Sequence, residues 1–360
     1  MPEPLKDRIN IELLTPIVTF IKQLEPSFNP QNFMQLTFNN EWHNLELKQR
    51  FRKISESFKI CLPQNYPTAV NILAQASQKF TGFESLFFPD FIEAYGWQDK
   101  KNYTASIQAI AQMTSGSSAE FAIRPFIENY PTQTFLQLYQ WAESDNEHVR
   151  RLASEGSRPK LPWASHLKKL IKDPTPTIKI LKILKCDKSK YVQKSVANHL
   201  NDISKDHPDL VLDLVKTWQG LSPQTNWIVK HACRTLLKEA HPQALILFGY
   251  ADASTIQVNH FECDEIVKKG EKLNFSFSLK DLKSLGKIRI EYAIYFMKAN
   301  GKQNKKIFKI GESNYKEKQK EIQKHYSFKA ISTRKYYTGE HQLAILINGQ
   351  KKAFKYFFLV

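Results

Sequence analysis

Near residue 250 the apolar pattern of this chain changes period, and that change restricts the fold more than any other feature of its 360 residues. Before it, hydrophobic side chains recur at helical spacing in segments separated by short polar breaks. Helices are expected over Leu13–Leu24, Leu45–Phe58, Tyr66–Gln78, Lys101–Met113 and Thr132–Ala142. Ser144–Glu147 reads as a capping box, and Pro174, Pro208 and Pro242 fall where helices begin. After Ala253 the period becomes two. Strands are expected over Leu273–Leu279, Ile288–Met297, His325–Lys329, Gln342–Ile347 and Ala353–Leu359, with turns at Lys269-Gly270, Asn300-Gly301 and Asn348-Gly349. The expected fold is mainly α: a helical-repeat array over residues 1–250, then a C-terminal all-β, Ig-like sandwich over residues 256–360.

Three segments of the helical part can be laid over one another: Val149–Ala153, Val192–Val196 and Ile228–Ala232. Their anchors stand 43 and 36 residues apart, the spacing of HEAT-like helix pairs. Each has a base two residues after its anchor: Arg151, Lys194 and Lys230. That position lies about 200° around the helix from the anchor, so the three bases are expected to form a ladder facing away from the core. Bases on an outer helix face are also ordinary solvation, and spacing alone leaves both readings open.

Charge favours a polyanionic partner. Lys and Arg number 52 against 35 Asp and Glu, and residues 251–360 hold 22 of the bases but 11 of the acids. Nucleic acid fits this asymmetry better than a membrane surface. The basic β domain is expected to grip the duplex from the side opposite the helices. Cys61, Cys186, Cys233 and Cys263 are scattered, which argues against a disulfide framework and a structural zinc site. The start, MPEPLKDRIN, has no apolar leader core, and no run approaches a membrane span. A cytoplasmic monomer without metal or cofactor is the expectation.

Two carboxylates sit against local rules. Glu155 directly precedes Gly156, in the last turn of its helix, facing the negative end of the helix dipole. Asp202 lies near another helix end. Both are expected to project toward the basic ladder, although either could be an ordinary surface acid. Between them, Gly156 and Pro159 break the chain and deliver Trp163 from a loop, as a core plug or a stacking platform.

The run His148–Trp163 (HVRRLASEGSRPKLPW) resembles the AlkC-type DNA alkylation-repair glycosylases, as do Tyr191–Lys205 and Trp227–Leu236. Phe88–Phe91 with Tyr95-Gly96, and Ser117–Phe121, fit the same pattern, so the resemblance spans nearly the whole helical part. It implies HEAT-like repeats with an Ig-like domain. It also implies hydrolytic release of N3-methyladenine and N3-methylcytosine from duplex DNA in base excision repair, leaving an abasic site. Carried over by position, Glu120, Glu155 and Asp202 fall on the family's active-site carboxylates and Trp163 on its aromatic wall. Lys160 stands where the family usually has Arg, keeping the charge. Phosphate contacts are expected from Arg151, Arg158, Lys160, Lys194, Lys230 and Arg234. The alternative is a non-enzymatic HEAT scaffold that binds damaged DNA or an acidic protein.

Overall fold

The structure, a computed structural model, describes residues 4–331 and 334–360. The first three residues of the stretch read above for a leader lie outside that range. The helices among the described residues are α1 (Ile11–Leu24), α2 (Pro30–Thr37), α3 (Leu47–Cys61), α4 (Tyr66–Lys79), α5 (Phe87–Tyr95), α6 (Tyr103–Met113), α7 (Arg124–Asn129) and α8 (Pro131–Ala142). They continue with α9 (Glu147–Gly156), α10 (Lys168–Lys172), α11 (Thr175–Leu184), α12 (Lys190–Ile203), α13 (Pro208–Trp218), α14 (Pro223–Ala232), α15 (Arg234–Lys238) and α16 (Pro242–Leu247). Contacts divide the chain into two compact units. One comprises residues up to Asp206 with Trp218–Ala232; the other comprises His207–Thr217 with Cys233–Val360.

In the first unit, helices pair and stack as the apolar spacing requires. The stripe Leu14, Ile17, Val18 and Ile21 of α1 is buried, and the Asn10 side chain caps the helix by accepting from the Leu13 N–H. α3 packs on α5, α4 on α6, and α8 on α9 and α11. α9, α12 and α14 follow one another in a single layer, which is the two-layer stacking of HEAT-like pairs. The superposed anchors Val149, Val192 and Ile228 are all buried in it.

One local expectation fails. The N-cap of α9 is Asn146, whose side chain accepts from the His148 N–H, while Ser144 Oγ accepts from Asn146 N–H. Glu147 instead takes a hydrogen bond from the Ser189 hydroxyl at the start of α12. Its carboxylate is thus committed to the neighbouring repeat rather than to its own helix end.

The second unit holds a sandwich of β1 (Gln257–Cys263), β2 (Ile266–Val267), β3 (Lys272–Lys280), β4 (Gly286–Met297), β5 (Gln303–Tyr315), β6 (Gln319–Ser327), β7 (Gly339–Ile347) and β8 (Gln350–Leu359). One sheet runs β1-β3-β6 and the other β2-β8-β7-β4-β5. Alternate residues Leu273, Phe275, Phe277 and Leu279 of β3 meet Ile288, Ile290, Ile294 and Phe296 of β4 in one core. All three expected turns carry a glycine at positive φ. β1, β2 and β5 are additions to the expected strands. β5 is an edge strand rich in exposed Lys, a composition that guards an edge and hides the period-two signal.

Gly156 ends α9 against α7's flank: a Cβ there would stand 2.3 Å from Ile123 Cγ2. Ala normally exceeds Gly in a helix by about 1 kcal/mol. Overpacking reverses that sign here, so Gly156→Ala should destabilise the protein by about 1–3 kcal/mol. A melting temperature at or above wild type would show that α9 stops there for another reason.

Candidate active site

Three elements of the first unit bring the unusual carboxylates together. α9 supplies Glu155 from its last turn, α12 supplies Asp202 from its own last turn, and the turn between α6 and α7 supplies Glu120. The loop after α9 then returns Arg158 between the first two. Arg158 Nε donates to Asp202 Oδ2 at 2.8 Å, and Nη1 donates to Glu155 Oε1 at 2.6 Å. The second Glu155 oxygen accepts from Ser195 Oγ at 2.5 Å. Ser195 has a single hydroxyl proton and a carboxylate can only accept, so the Ser154 hydroxyl, 3.0 Å away, is the donor toward Ser195.

Arg151 does the equivalent for Glu120. Its Nη1 lies 3.0 Å from Glu120 Oε2, its Nη2 lies 3.6 Å from Glu155 Oε1, and the Ser118 hydroxyl bonds to both Arg151 and Glu120. Burial works against the Arg151 charge, but Glu120 and Glu155 outweigh it and leave its pKa above the ordinary value. Lys205, half exposed, adds a contact to Asp202 Oδ1 at 3.1 Å. Both acids at helix C-termini are thus compensated by cations placed against the dipole.

A cleft of about 450 Å³ opens onto this network. Glu120, Glu155, Arg158, Trp163 and Tyr191 line it; Asp202 does not. The carboxylates expected on the surface are in fact buried, Glu155 to 6% exposure and Asp202 to 2%. Asp202 stands behind Arg158 rather than at the cleft wall. Trp163 is the reverse. At 64% exposure, with its backbone at φ +65°, it is no core plug. Phe83 meets it edge-on at 6.4 Å, and Lys48 Nζ donates to its carbonyl at 3.0 Å.

The ladder of bases survives only in part. Lys194 on α12 and Lys230 on α14 are exposed as expected, and Arg234 opens α15 half-buried. Arg151 is turned inward to two carboxylates, so it is not a solvated rung. Arg158 is buried between Glu155 and Asp202 and cannot meet a phosphate without leaving both. Lys160 is paired with Asp206 at 2.6 Å. A repeat of HEAT length, about 40 residues, sets Asp202 beside Arg158 and Asp206 beside Lys160, 44 and 46 residues on, whereas Glu120 reaches Arg151 from the turn before α7 at a spacing of 31. The same arithmetic would have exposed Ser195, 40 residues from Glu155.

His199 also escaped the sequence reading. It is fully buried on α12, its Nδ1 2.9 Å from the Ser154 carbonyl, which fixes the proton on Nδ1. Among the described residues Nε2 has no hydrogen-bond partner. Burial, then the Arg158 charge, pushes its pKa down to about 3. Between that value and the ordinary 6.5 the unfolded chain binds a proton that the folded protein does not, so stability falls as pH falls through this window. Thermal melts between pH 6 and 4.5 should show wild type losing about 1.4 kcal/mol per pH unit more than His199→Gln. Parallel pH profiles would mean that His199 titrates normally.

Among the described residues no cluster of His, Cys, Asp and Glu could hold a metal ion, and no helix is long and apolar enough to cross a membrane. Residues 91–240 match the family model described as DNA alkylation repair enzyme, and residues 257–360 match that of the C-terminal Ig-like domain of the uncharacterised protein YhaZ. The uncharacterized protein YhaZ of Bacillus subtilis (strain 168) is 43% identical, over 97% of either chain. A solved structure of the Pseudomonas fluorescens alkylpurine DNA glycosylase AlkC, bound to DNA containing an abasic site analog, matches with TM-score 0.92 and 35% identity. That match covers 99% of this chain and all of the other.

Proposed function

The chain belongs to the AlkC family of DNA alkylation repair enzymes, and from that premise we propose how its cleft works: as the active site of a monofunctional alkylbase DNA glycosylase on duplex DNA. The observation that carries this reading is the charge of the buried network. Glu120, Glu155 and Asp202 stand among Arg151, Arg158 and the half-exposed Lys205, but of these groups only Glu120, Glu155 and Arg158 line the cleft, so its wall sets two acids against one base beside an exposed aromatic ring. An N3-alkylated base carries one positive charge.

As the N-glycosidic bond breaks, its electron pair leaves with the base, which becomes neutral. Positive charge moves to C1′ and O4′ of the deoxyribose. Glu155 and Glu120, at the cleft wall, stabilise that oxocarbenium character, and Asp202 adds its charge from behind Arg158. Water adds to C1′ and loses its proton to a wall carboxylate, giving an abasic site. The negative face of Trp163 packs against the cationic sugar or lesion. No lysine is among the residues lining the cleft, so a Schiff-base route with strand cleavage has no nucleophile there. N3-methyladenine and N3-methylcytosine both meet the charge requirement, and the protein acts as a cytoplasmic monomer in base excision repair. Lys194, Lys230 and Arg234 engage phosphates, with further contacts from the Lys-rich β domain.

Single-turnover assays on methylated duplexes should show base release falling by roughly 10²–10³ in Glu155→Gln and Glu120→Gln. Affinity for undamaged duplex should stay equal or rise, since a repulsive charge has gone. A neutral lesion such as O6-methylguanine should not be released. Near-normal release by a stable Glu120→Gln, Glu155→Gln double variant would end the catalytic assignment. Failure of wild type to release any cationic base would favour the scaffold reading.

Salt dependence separates the two kinds of base. Lys194→Ala and Lys230→Ala should each flatten the plot of log K against log salt by about 0.9 unit on any duplex. Arg158→Ala should leave that slope unchanged while abolishing release. A slope change in Arg158→Ala matching the lysine variants would place Arg158 on phosphate.

A further inference from the structure

The loop from Ser157 to Leu167 carries both Arg158 and Trp163, yet it has no regular secondary structure to hold it. Its ends are closed by one main-chain bond, Leu167 N–H to the Pro159 carbonyl at 3.0 Å. Lys48 holds the Trp163 carbonyl and Asp206 holds Lys160, and the most extensive tie is Arg124, the buried first residue of α7. Its Nη1 donates to the Gly156 carbonyl at 3.1 Å and the Arg158 carbonyl at 2.8 Å, and its Nη2 donates to the Ser165 carbonyl at 2.6 Å. One guanidinium therefore grips the exit of α9, the backbone of Arg158 and the segment two residues beyond Trp163.

The arrangement is costly in a way that packing alone does not require. Among the described residues no carboxylate pairs directly with Arg124, and its main support comes from the more distant Glu128. Burial, opposed by Glu128 and helped by the Arg158 charge, lowers its pKa to about 10, so it remains a cation at neutral pH. A buried cation satisfied by main-chain carbonyls is a specific device: five donors in a rigid fork can hold three acceptors at fixed angles, which a lysine cannot. The loop it holds includes Trp163 at φ +65°, a conformation that costs a non-glycine residue of order 1–3 kcal/mol and persists only where its surroundings impose it.

We propose that Arg124 is a positioning residue for base release: it fixes the 157–167 loop so that Trp163 stands at the cleft mouth and Arg158 stays between Glu155 and Asp202. This rests on the glycosylase reading above. Arg124 does not line the cleft and touches no reacting atom.

The experiment is a double-variant cycle on single-turnover release from N3-methyladenine duplex, using the full chain. Arg124→Met keeps most of the volume and removes every donor; Arg124→Lys keeps charge and one donor group. Displacing a positioned group by about 1 Å can cost roughly 10²-fold in rate. Arg124→Met should therefore slow release about 10²-fold in the wild-type background and by a smaller factor when Trp163 is already Ala, the remaining loss being the share that acts through Arg158. Arg124→Lys should recover part of the loss. Undamaged-duplex affinity should stay within about twofold. Losses of equal size in both Trp163 backgrounds would overturn the proposal, since a purely structural residue behaves that way.

Amide hydrogen exchange over residues 157–167 gives a readout that does not depend on activity. Exchange should accelerate in this loop for Arg124→Lys while the core of α12 stays protected. Unchanged loop exchange would overturn the proposal even if the Met variant failed to fold. Should wild type release no base, the glycosylase reading fails, and the exchange result still decides whether Arg124 orders the loop.

Discussion

Two helix C-termini meet across one guanidinium, and the rest of the site depends on that contact. α9 and α12 each end on a carboxylate, in the turn where a negative charge faces the negative end of the dipole. Arg158 lies between them, 2.6 Å from Glu155 and 2.8 Å from Asp202. Arg158 makes the shortest ion pair of each acid, and burying an ion with less compensation costs several kcal/mol. Pairing also fixes the register of α9 against α12, because the bridge spans 44 residues and closes only when adjacent repeats are aligned. Such a network is weak evidence for stability and stronger evidence for a specified geometry.

That geometry is built on rigid helices and finished by a loop. Placing Arg158 and Trp163 on helix faces would have fixed both at helical spacing; a break at Gly156 and Pro159 lets one side chain turn inward and the other outward within six positions. A scaffold that carries its reactive groups on short, over-determined loops is a common solution. Here the over-determination is visible in the carbonyls of residues 156, 158 and 165, all held by Arg124. Trp163 accepts a left-handed backbone because the loop around it is not free to relax.

The sequence made some of this legible and hid the rest for physical reasons. Proline at helix starts and the apolar period located α1, α4, α8, α11 and α16 closely, because those signals are local. The apolar runs located β3, β4, β7 and β8 because each sends side chains into the sandwich core, and in β4 and β7 the other face is buried as well, around Ala293, Ala344 and Leu346. β5 was missed because an edge strand needs charge rather than alternation. Glu155, Asp202 and Trp163 stood out by breaking local rules. Their partners did not: Arg151, Arg158 and Ser195 look like ordinary polar positions on a helix or loop until the next repeat is laid beside them. The apolar anchors put Arg151 on an outward face of α9, and the carboxylates of Glu120 and Glu155 draw its side chain inward.

A cleft wall with more acids than bases, over a network that is paired as a whole, is what the chemistry calls for. Three like charges buried without cations would repel one another and the phosphates of any approaching duplex, whereas a wall with as many bases as acids would offer nothing to a cationic base. Arg151, Arg158 and Lys205 answer the three carboxylates taken together, but Arg158 alone of these cations lines the cleft with Glu120 and Glu155, so the wall itself keeps an excess of negative charge. Normal bases are neutral, so they gain nothing from that charge and are poor leaving groups in any case. An N3-alkylated base brings the matching charge and passes it to the sugar as the bond breaks, so the attraction persists through the transition state instead of ending at binding. Selectivity and rate then come from the same electrostatic term, and no snug pocket around the base is required for either.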